Sequence, residues 1–285
     1  MSVNRILLIG VGAWSRKING AIIAQNTDWE VEVISARTFI SMGSNSKEFT
    51  EICGKFDLFW ITTTPNNQIQ VLRQLVTTEK KIILDKPIAT SVSEIDLIED
   101  LILNSQSKIY LSQPWTFSHL WSKMKIVILS IEGEVLIQTE RGGSVVRKEL
   151  PPEIDWTPHD IYLLADYVDS LEKGHRQINL VSREKNNQHI LLKYKVGQDR
   201  KFEISAGYAT ERKAHLRAFA EGKLVVEVSF DKGEITDHRG LNPIKFAMES
   251  ENPIMAMLTF ISENEPTVDW NLILSLYRDL VGVSY

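Results

Sequence analysis

A glycine-rich turn directly follows the first apolar run of the chain. The segment Gly10-Val11-Gly12-Ala13-Trp14-Ser15 stands between the run Ile6–Ile9 and a stretch at about residues 15–26 that can form a helix. In a strand–turn–helix context, glycine lets the backbone approach a pyrophosphate, and the helix supplies unpaired N–H groups and a favourable dipole. Ser15 replaces the third glycine of the usual pattern, and a simple tight turn has the same composition. The residues predicted to contact a dinucleotide are Gly10, Gly12, Ala13, Trp14 and Ser15.

The residues after the second apolar run indicate which dinucleotide this turn would bind. In NAD-binding folds the second strand usually ends in an acidic residue that binds the adenosine ribose. Here the run ends in Ile34-Ser35-Ala36-Arg37-Thr38, which contains no acidic residue. The Ser35 hydroxyl can hydrogen-bond a 2′-phosphate, and the Arg37 guanidinium can pair with its charge. We therefore predict NADP(H) over NAD(H), with a solvated surface charge as the alternative interpretation of Arg37.

Stepwise alternation of apolar runs and helical stretches extends over the first 114 residues. The predicted strands are Ile6–Ile9, Glu30–Ser35, 57–62, 81–84 and 109–112. Several of these runs are continuously apolar, which is typical of strands buried on both faces. Between them, residues 66–78 and 91–104 place their apolar side chains on one helical face. This alternation predicts a doubly wound parallel sheet, a dinucleotide-binding Rossmann domain at residues 1–114.

The pattern changes near Gln113-Pro114, and strands predominate after it. We predict strands at about 125–140, 177–183, 188–196, 201–209, 213–220 and 223–230, and helices at about 118–123, 158–173, 253–263 and 269–281. Alternating polarity and polar turns indicate a one-faced, mainly antiparallel open sheet. The predicted fold class is α/β, with the Rossmann domain followed by an α+β substrate and oligomerisation domain at residues 115–285.

Composition argues against several classes of function. The 285 residues carry a net charge of −5, so a broad nucleic-acid surface is not expected. No run reaches the roughly 18–20 apolar residues of a membrane span, and no signal peptide is visible, so the cytoplasm is the expected location. One cysteine allows no intramolecular disulfide, and the six histidines have no metal-like spacing, so no metal is predicted.

Three further stretches resemble the Gfo/Idh/MocA oxidoreductase family, the glucose–fructose oxidoreductase and inositol dehydrogenase type. The run 57–66, with Thr64-Pro65 near its end, looks like the strand that ends under the cofactor in that family. The run 81–90 contains Asp85-Lys86-Pro87, which is similar to the family's Glu-Lys-Pro segment, with Asp85 in place of Glu. The run Asp155-Trp156-Thr157-Pro158-His159 matches an Asp-x-x-x-His pattern. Ile69 stands where many members carry a histidine.

This resemblance implies a set of site residues. Lys86 would stabilise a developing alkoxide, and His159 would be the general base in oxidation and the acid in reduction. Asp155 would orient His159 or a sugar hydroxyl. Thr63, Thr64, Pro65, Asp85 and Lys86 would join the cofactor site, and Lys86, Asp155, His159, Asp160 and Arg141 would contact the substrate. By themselves, Lys86 and Arg141 could equally be solvated surface charges, and Asp155 could be a helix cap.

The resemblance implies an NAD(P)-dependent oxidoreductase that transfers a hydride between nicotinamide and a hydroxyl or keto group. The expected substrate is a sugar, a cyclitol or a nucleotide sugar, bound in a crevice that Lys86 and His159 share. Two alternatives use the same fold: a non-catalytic dinucleotide-sensing or regulatory protein, and an imine-type reductase. We expect a homodimer or homotetramer assembled through the C-terminal sheet, if that sheet has an exposed apolar face, and no nucleic-acid or membrane partner.

Overall fold

The computed structural model describes residues 4–25, 29–144, 150–247 and 252–282. The chain forms two compact units. The first contains Met1–Gln113 with Ile254–Trp270, and the second contains Pro114–Pro253 with Asn271–Tyr285. The predicted boundary at 114/115 lies one residue from this division, and residues 254–270, which were predicted in the second domain, belong to the first unit.

The first unit begins with ten elements that alternate for the most part between strand and helix. In chain order they are β1 (Asn4–Ile9), α1 (Ala13–Ala24), β2 (Trp29–Ile34), α2 (Ala36–Met42), α3 (Lys47–Lys55), β3 (Leu58–Ile61), α4 (Pro65–Leu75), β4 (Lys81–Leu84), α5 (Val92–Leu103) and β5 (Lys108–Leu111). The two short helices α2 and α3 were not predicted from the sequence. Each begins after a serine whose hydroxyl accepts a hydrogen bond from a backbone N–H in the first turn, Ser35 for α2 and Ser46 for α3.

The five strands of this unit form one parallel sheet in the order β2-β1-β3-β4-β5. Residues Ile6–Ile9 and Leu58–Ile61 are buried, as expected for strands covered on both faces. The predicted doubly wound parallel sheet is confirmed. Its connections change direction between β1 and β3, and in such sheets this is where ligands bind, beyond the carboxyl ends of the strands.

The remaining elements follow in chain order. They are α6 (His119–Leu129), β6 (Val135–Gly143), α7 (Pro152–Asp155), α8 (Pro158–Asp169), β7 (Ile178–Lys185), β8 (His189–Val196), β9 (Arg200–Tyr208), β10 (Lys213–Ala220), β11 (Lys223–Ser229), β12 (Glu234–Asp237), β13 (Ile244–Ala247), α9 (Pro253–Glu263) and α10 (Trp270–Val281). Short 3₁₀ turns occupy Pro114–Phe117 and Lys173–His175. The strands form one eight-stranded sheet in the order β13-β12-β11-β10-β6-β9-β8-β7.

This second sheet is antiparallel except for the β6–β9 pair, which confirms the predicted mainly antiparallel open sheet. Burial alternates along its strands: Ile137, Ile204 and Leu216 are buried, whereas their neighbours on the opposite face are partly exposed. The more exposed face carries both charged and apolar side chains, and Glu140 binds Lys213 there at 2.8 Å. That bond lowers the pKa of Glu140. Self-association through this sheet stays a prediction.

One predicted element near the start of the second unit is wrong. Residues 125–129 belong to helix α6 and not to the strand predicted at 125–140, which begins only at Val135. The β-branched run 126–128 favours a strand locally. Tertiary contacts decide otherwise, because Trp121 Nε1 and Lys125 Nζ both donate to Asp166 Oδ2 of α8 at 2.6 Å. Those bonds require residues 121 and 125 to lie one helical turn apart.

Residues 254–270 are tied to the first unit by polar contacts at the end of α9. Lys81 Nζ donates to the carbonyl oxygens of Ile261 and Ser262 at 2.7 and 2.8 Å. Tyr110 Oη donates to the carbonyl oxygen of Asn264 at 2.8 Å. The last carbonyls of a helix have no partner within the helix, so the lysine satisfies groups that would otherwise be unpaired.

Among the described residues, none of the helices combines the length and the apolar character that crossing a bilayer requires.

Candidate functional site

The turn after β1 lies at the point where the parallel sheet changes direction. Gly10 N donates to the carbonyl oxygen of Ile34 at 2.8 Å, and Thr62 N donates to that of Ile9 at 3.0 Å. Gly10 has φ +147°, and a Cβ there would overlap the carbonyl oxygen of Thr62 and lie 2.6 Å from its Oγ1. Only glycine fits this position, because the turn runs directly against the residue that follows β3.

Gly12 differs from Gly10, because the described residues give no steric reason for glycine there. It is the N-cap of α1 with φ −74°, and a Cβ at this position would meet no described atom within 4 Å. It has no side chain with which to cap the helix. The first N–H groups of α1 and the positive end of its dipole are therefore left for an anion.

Ser15, at the third-glycine position, is 1% exposed in the first turn of α1. Its hydroxyl has no hydrogen-bond partner in the described part of the chain, and neither does the buried Nε1 of Trp14. Ser15 lies on the buried face of α1 with Ile18 and Ile22, so this position belongs to the packing of the helix and does not face a ligand. Ala13 is exposed in the same turn. The open space at Gly12, the exposed Ala13 and the uncapped start of α1 fit the pyrophosphate of a dinucleotide.

The predicted 2′-phosphate residues follow β2, the strand adjacent to β1. Ser35 is partly exposed, and its hydroxyl accepts from Thr38 N at 3.0 Å and bonds Thr38 Oγ1 at 2.7 Å. Ser35 therefore already acts as a helix cap, and its hydroxyl hydrogen can be donated to a phosphate oxygen when Thr38 Oγ1 is the donor of their bond. Arg37 is exposed in the first turn of α2. Thr38, which the sequence analysis did not select, adds a hydroxyl at the same place.

The loops after β3 and β4 carry the next group of predicted residues. Thr64 is the N-cap of α4, and Pro65 is its first residue, where a missing N–H has no cost. Thr63 lies beside them and is partly exposed. In the adjacent loop, Asp85 is buried, and its backbone N donates to the carbonyl oxygen of Ile61 at 3.2 Å. These loops therefore lie side by side at the carboxyl edge of the sheet.

Lys86 is the next residue of that loop and is partly buried. The sequence analysis missed a residue that holds this loop: Gln68 of α4 is 1% exposed. Its Nε2 donates to the carbonyl oxygens of Thr63 at 3.2 Å and Pro87 at 3.1 Å. The signal that could have found Gln68 is its spacing, because it lies four and seven residues before Leu72 and Leu75 on the buried face of α4.

In the second unit, Asp155 and His159 lie near the end of β6. Asp155 ends α7 and is buried, and His159 is partly exposed in the first turn of α8. Trp156 packs against Gly143, where a Cβ would lie 3.2–3.3 Å from the indole. This packing holds the segment that connects α7 to α8 against the end of the strand.

Arg141 and Asp160 bind each other. Arg141 Nε contacts both carboxylate oxygens of Asp160 at 3.0 and 3.1 Å, and Nη2 contacts Oδ1 at 2.9 Å. Both side chains are at most 4% exposed. Burial raises the pKa of Asp160, while the Arg141 guanidinium and the Thr139 hydroxyl oppose that rise. The pair fixes the start of α8 on β6. A direct substrate contact by either side chain stays a prediction, and this pairing competes with it.

Two aromatic rings lie beside this ion pair. Trp115 and Phe230 pack edge to face with centroids 4.9 Å apart, and the Arg141 guanidinium carbon lies 5.7 and 5.8 Å from their centroids. The His159 ring stands at 90° to Trp115 at 6.4 Å. The sequence analysis did not select Phe230. Together these groups form an aromatic wall, defined as Trp115 and Phe230, next to His159.

Comparison with solved structures shows the fold. An aldose–aldose oxidoreductase from Caulobacter crescentus is 13% identical, with a TM-score of 0.76 over 98% of this chain and 96% of that chain. The UDP-N-acetylglucosamine 3-dehydrogenase from Acidithiobacillus ferrooxidans is 12% identical, with a TM-score of 0.69 over 99% and 97%. A candidate NADPH-dependent oxidoreductase from Desulfitobacterium hafniense is 14% identical, with a TM-score of 0.74 over 98% and 93%.

The chain has the Gfo/Idh/MocA oxidoreductase fold. No protein-family model matches the sequence, and no curated protein matches it either. The likeness is therefore one of architecture, and it covers nearly the whole length of each structure. Within this Gfo/Idh/MocA fold, the predicted cofactor residues and Lys86 belong to the first unit, and Arg141, Asp155, His159 and Asp160 belong to the second.

Proposed function

We propose that the protein is a nicotinamide-dependent oxidoreductase that interconverts a hydroxyl and a keto group on a sugar, cyclitol or nucleotide sugar. The observation that carries the proposal is the turn after β1. Gly12 leaves open space in front of a helix start that no side chain caps, and Ala13 beside it is exposed. A pyrophosphate supplies the negative charge and the acceptor oxygens that this turn lacks.

NADP(H) is the proposed cofactor in preference to NAD(H). The residues that follow β2 offer a guanidinium and two hydroxyls, from Arg37, Ser35 and Thr38, in place of the carboxylate that suits an adenosine ribose. When bound, the nicotinamide ring supplies the hydride acceptor or donor for the reaction.

In the proposed reaction, one residue of the chain stabilises negative charge and another transfers a proton. The Lys86 ammonium stabilises the negative charge that develops on the substrate oxygen as its proton leaves. His159 accepts that proton in oxidation and returns it in reduction, because an imidazole titrates near neutral pH. Asp155 orients the substrate or the imidazole. The aromatic wall, Trp115 and Phe230, excludes water from one side of His159.

The structural neighbours support a sugar-like substrate. Two of them are named for reactions on an aldose and on UDP-N-acetylglucosamine, and a third is named for NADPH. Those activities belong to proteins at most 14% identical to this chain. They support the proposal only by showing that proteins of this fold act on such substrates.

Titration of the wild-type chain with NADPH and NADH tests the cofactor site, with Gly12→Ala as the informative variant. The added methyl meets no described protein atom at an ordinary φ, so the free energy of unfolding should change by less than about 0.5 kcal/mol. The same methyl occupies the space given to the pyrophosphate, so NADPH affinity should fall by about tenfold or more.

Gly20→Ala is the matched control, since it lies in α1, and a Cβ there also meets no described atom within 4 Å. It should keep wild-type affinity. The proposal is contradicted if the wild-type chain binds neither dinucleotide, or if Gly12→Ala binds NADPH as tightly as Gly20→Ala does.

A further inference from the structure

The buried amide of Gln68 joins two loops of the first unit. Its Nε2 donates to the carbonyl oxygen of Thr63, after β3, and to that of Pro87, after β4. The assignment of the amide is unambiguous in chemical terms, because two carbonyl oxygens require the nitrogen and would repel the oxygen. Gln68 thus holds the turn that contains Lys86 to the loop that begins α4.

The bond from Gln68 to Pro87 lies just beyond the last hydrogen bonds between β3 and β4. The β3–β4 ladder ends at Ile61 and Leu84, and Asp85 N extends it by one bond to the carbonyl oxygen of Ile61. After Asp85 the chain leaves the sheet. Two residues later, the carbonyl oxygen of Pro87 accepts a hydrogen bond from Gln68 Nε2. Lys86 lies between these two fixed points.

Glutamine suits this position better than the other side chains of similar length. A carboxylate offers no donor and would place its charge against two carbonyl dipoles, and a leucine would leave both carbonyls without this partner. Asparagine is one methylene shorter. The backbone of Gln68 is also held in place, because its N–H donates to the carbonyl oxygen of Thr64 at 2.8 Å in the first turn of α4.

We propose that Gln68 is a positioning residue that sets the location of Lys86, an inference that rests on the proposed function for its catalytic consequence. It does not touch the reacting atoms itself. Stabilisation of a developing charge depends steeply on the placement of the ammonium, and a displacement of about 1 Å can cost about a hundredfold in rate.

The test compares Gln68→Leu with Gln74→Leu. Gln74 is the matched control, because it lies on the same helix and its Nε2 donates to a backbone carbonyl of another segment, Ile40, at 3.0 Å. Gln68→Leu should lower kcat by about 10- to 100-fold with less than about threefold change in NADPH affinity, and Gln74→Leu should leave kcat within about twofold. Equal kcat values in the two variants would overturn the proposal.

A second measurement does not depend on turnover. Lysines are labelled by reductive ¹³C-dimethylation, and the Lys86 signal is assigned by its loss in Lys86→Arg. The chemical shift and titration of that signal should change in Gln68→Leu and stay unchanged in Gln74→Leu. An unchanged Lys86 signal in a folded Gln68→Leu variant would refute the positioning role, even if the wild-type chain turned over no substrate. Absence of turnover alone would instead count against the proposed function.

Gln68→Glu adds a pH-dependent readout that a general loss of stability would not give. A protonated glutamic acid can donate one hydrogen bond to a carbonyl, whereas its carboxylate can donate none. The ratio of variant to wild-type kcat should therefore rise as the pH falls through the pKa of the new carboxyl group. Wild-type kcat in Gln68→Glu, at a pH where titration shows its new carboxyl group to be ionised, would contradict the proposal.

Discussion

At the scale of single residues, the structure requires glycine at position 10 for a steric reason that does not apply at position 12. Gly10 is explained by the fold, because any side chain there would overlap Thr62. Gly12 has an ordinary φ and open space around it, so nothing in the described structure requires glycine. A small residue without a packing reason, at the start of an uncapped helix, indicates a place that a ligand fills.

Arg37 carries the proposed selectivity for NADP(H). Its replacement by glutamate should weaken NADPH binding by about 10- to 100-fold, because an attractive charge at the 2′-phosphate becomes repulsive. NADH lacks that phosphate, so its affinity should change by less than about threefold. Isothermal titration with both cofactors measures the difference.

The control for this change is Arg73→Glu, an exposed arginine in the last turn of α4. It alters the net charge equally and should leave both affinities within about twofold. An equal loss of NADPH affinity in the two variants would remove the role assigned to Arg37.

Some features of single residues can be predicted from the order of neighbouring elements, although the ligand contacts assigned to those residues stay predictions. The turn at Gly10 and Gly12 was recognisable because strand, turn and helix follow one another directly. Helical spacing places Gln68 on the buried face with Leu72 and Leu75, but its bond to Pro87, nineteen positions later, could not be predicted from that spacing. Ser35 was selected for its hydroxyl, but its function as a helix cap became apparent only with the helix that it begins.

At the scale of elements, the start of α8 is fixed by groups from several parts of the second unit. The Arg141–Asp160 pair links β6 to the helix, and the aromatic wall flanks His159. Sequence pattern could place the helix near Pro158, because proline is common at a first helical position. It could not show that Arg141 and Asp160 neutralise each other, because strand order brings them together.

Helix α10 contains a carboxyl group that should make stability depend on pH. Burial raises the pKa of Asp279 to about 6, and the Tyr194 hydroxyl opposes that rise. An unfolded aspartate titrates near 3.9, so unfolding releases a proton between about pH 4 and 6. Stability therefore falls as the pH rises through this window and remains lower above it.

Asp279→Asn removes this charge and should raise the free energy of unfolding at pH 7.5 by about 1–2 kcal/mol, a range reduced for partial exposure. The gain should disappear below about pH 4. Urea unfolding of both chains from pH 4 to 8 measures it. Asp96→Asn, at an exposed position of α5, is the control with an expected change below about 0.5 kcal/mol. A gain that is constant with pH would contradict the assignment.

The elements that sequence missed are short or depend on tertiary contacts. Helices α2 and α3 have seven and nine residues, which is too short for a clear apolar period. Residues 125–129 have strand-like composition and became helical because Lys125 and Trp121 both bind Asp166. Long alternating strands such as β8, β9 and β10 were predicted to within two residues, since their period is unambiguous.

At the scale of the whole molecule, the division into units does not follow the chain order completely. The chain returns to the first unit at residues 254–270, where bonds from Lys81 and Tyr110 hold it, and then completes the second unit with Asn271–Tyr285. No change in amino-acid composition near residue 254 indicates that the chain rejoins the first unit there. The order of a Rossmann-type sheet followed by an open sheet could be predicted, because strand periodicity differs between the two.

The central proposal is that this chain catalyses hydride transfer between a nicotinamide and its substrate, with the Lys86 ammonium stabilising the charge on the substrate oxygen. The direct measurement is the change in absorbance of the nicotinamide at 340 nm during turnover on a panel of sugars, cyclitols and nucleotide sugars, for the wild-type chain and for Lys86→Met. We expect turnover by the wild-type chain with at least one substrate, and a loss of about a hundredfold or more in Lys86→Met with NADPH affinity retained. Binding of NADPH without turnover of any substrate, or equal turnover by Lys86→Met, would contradict it.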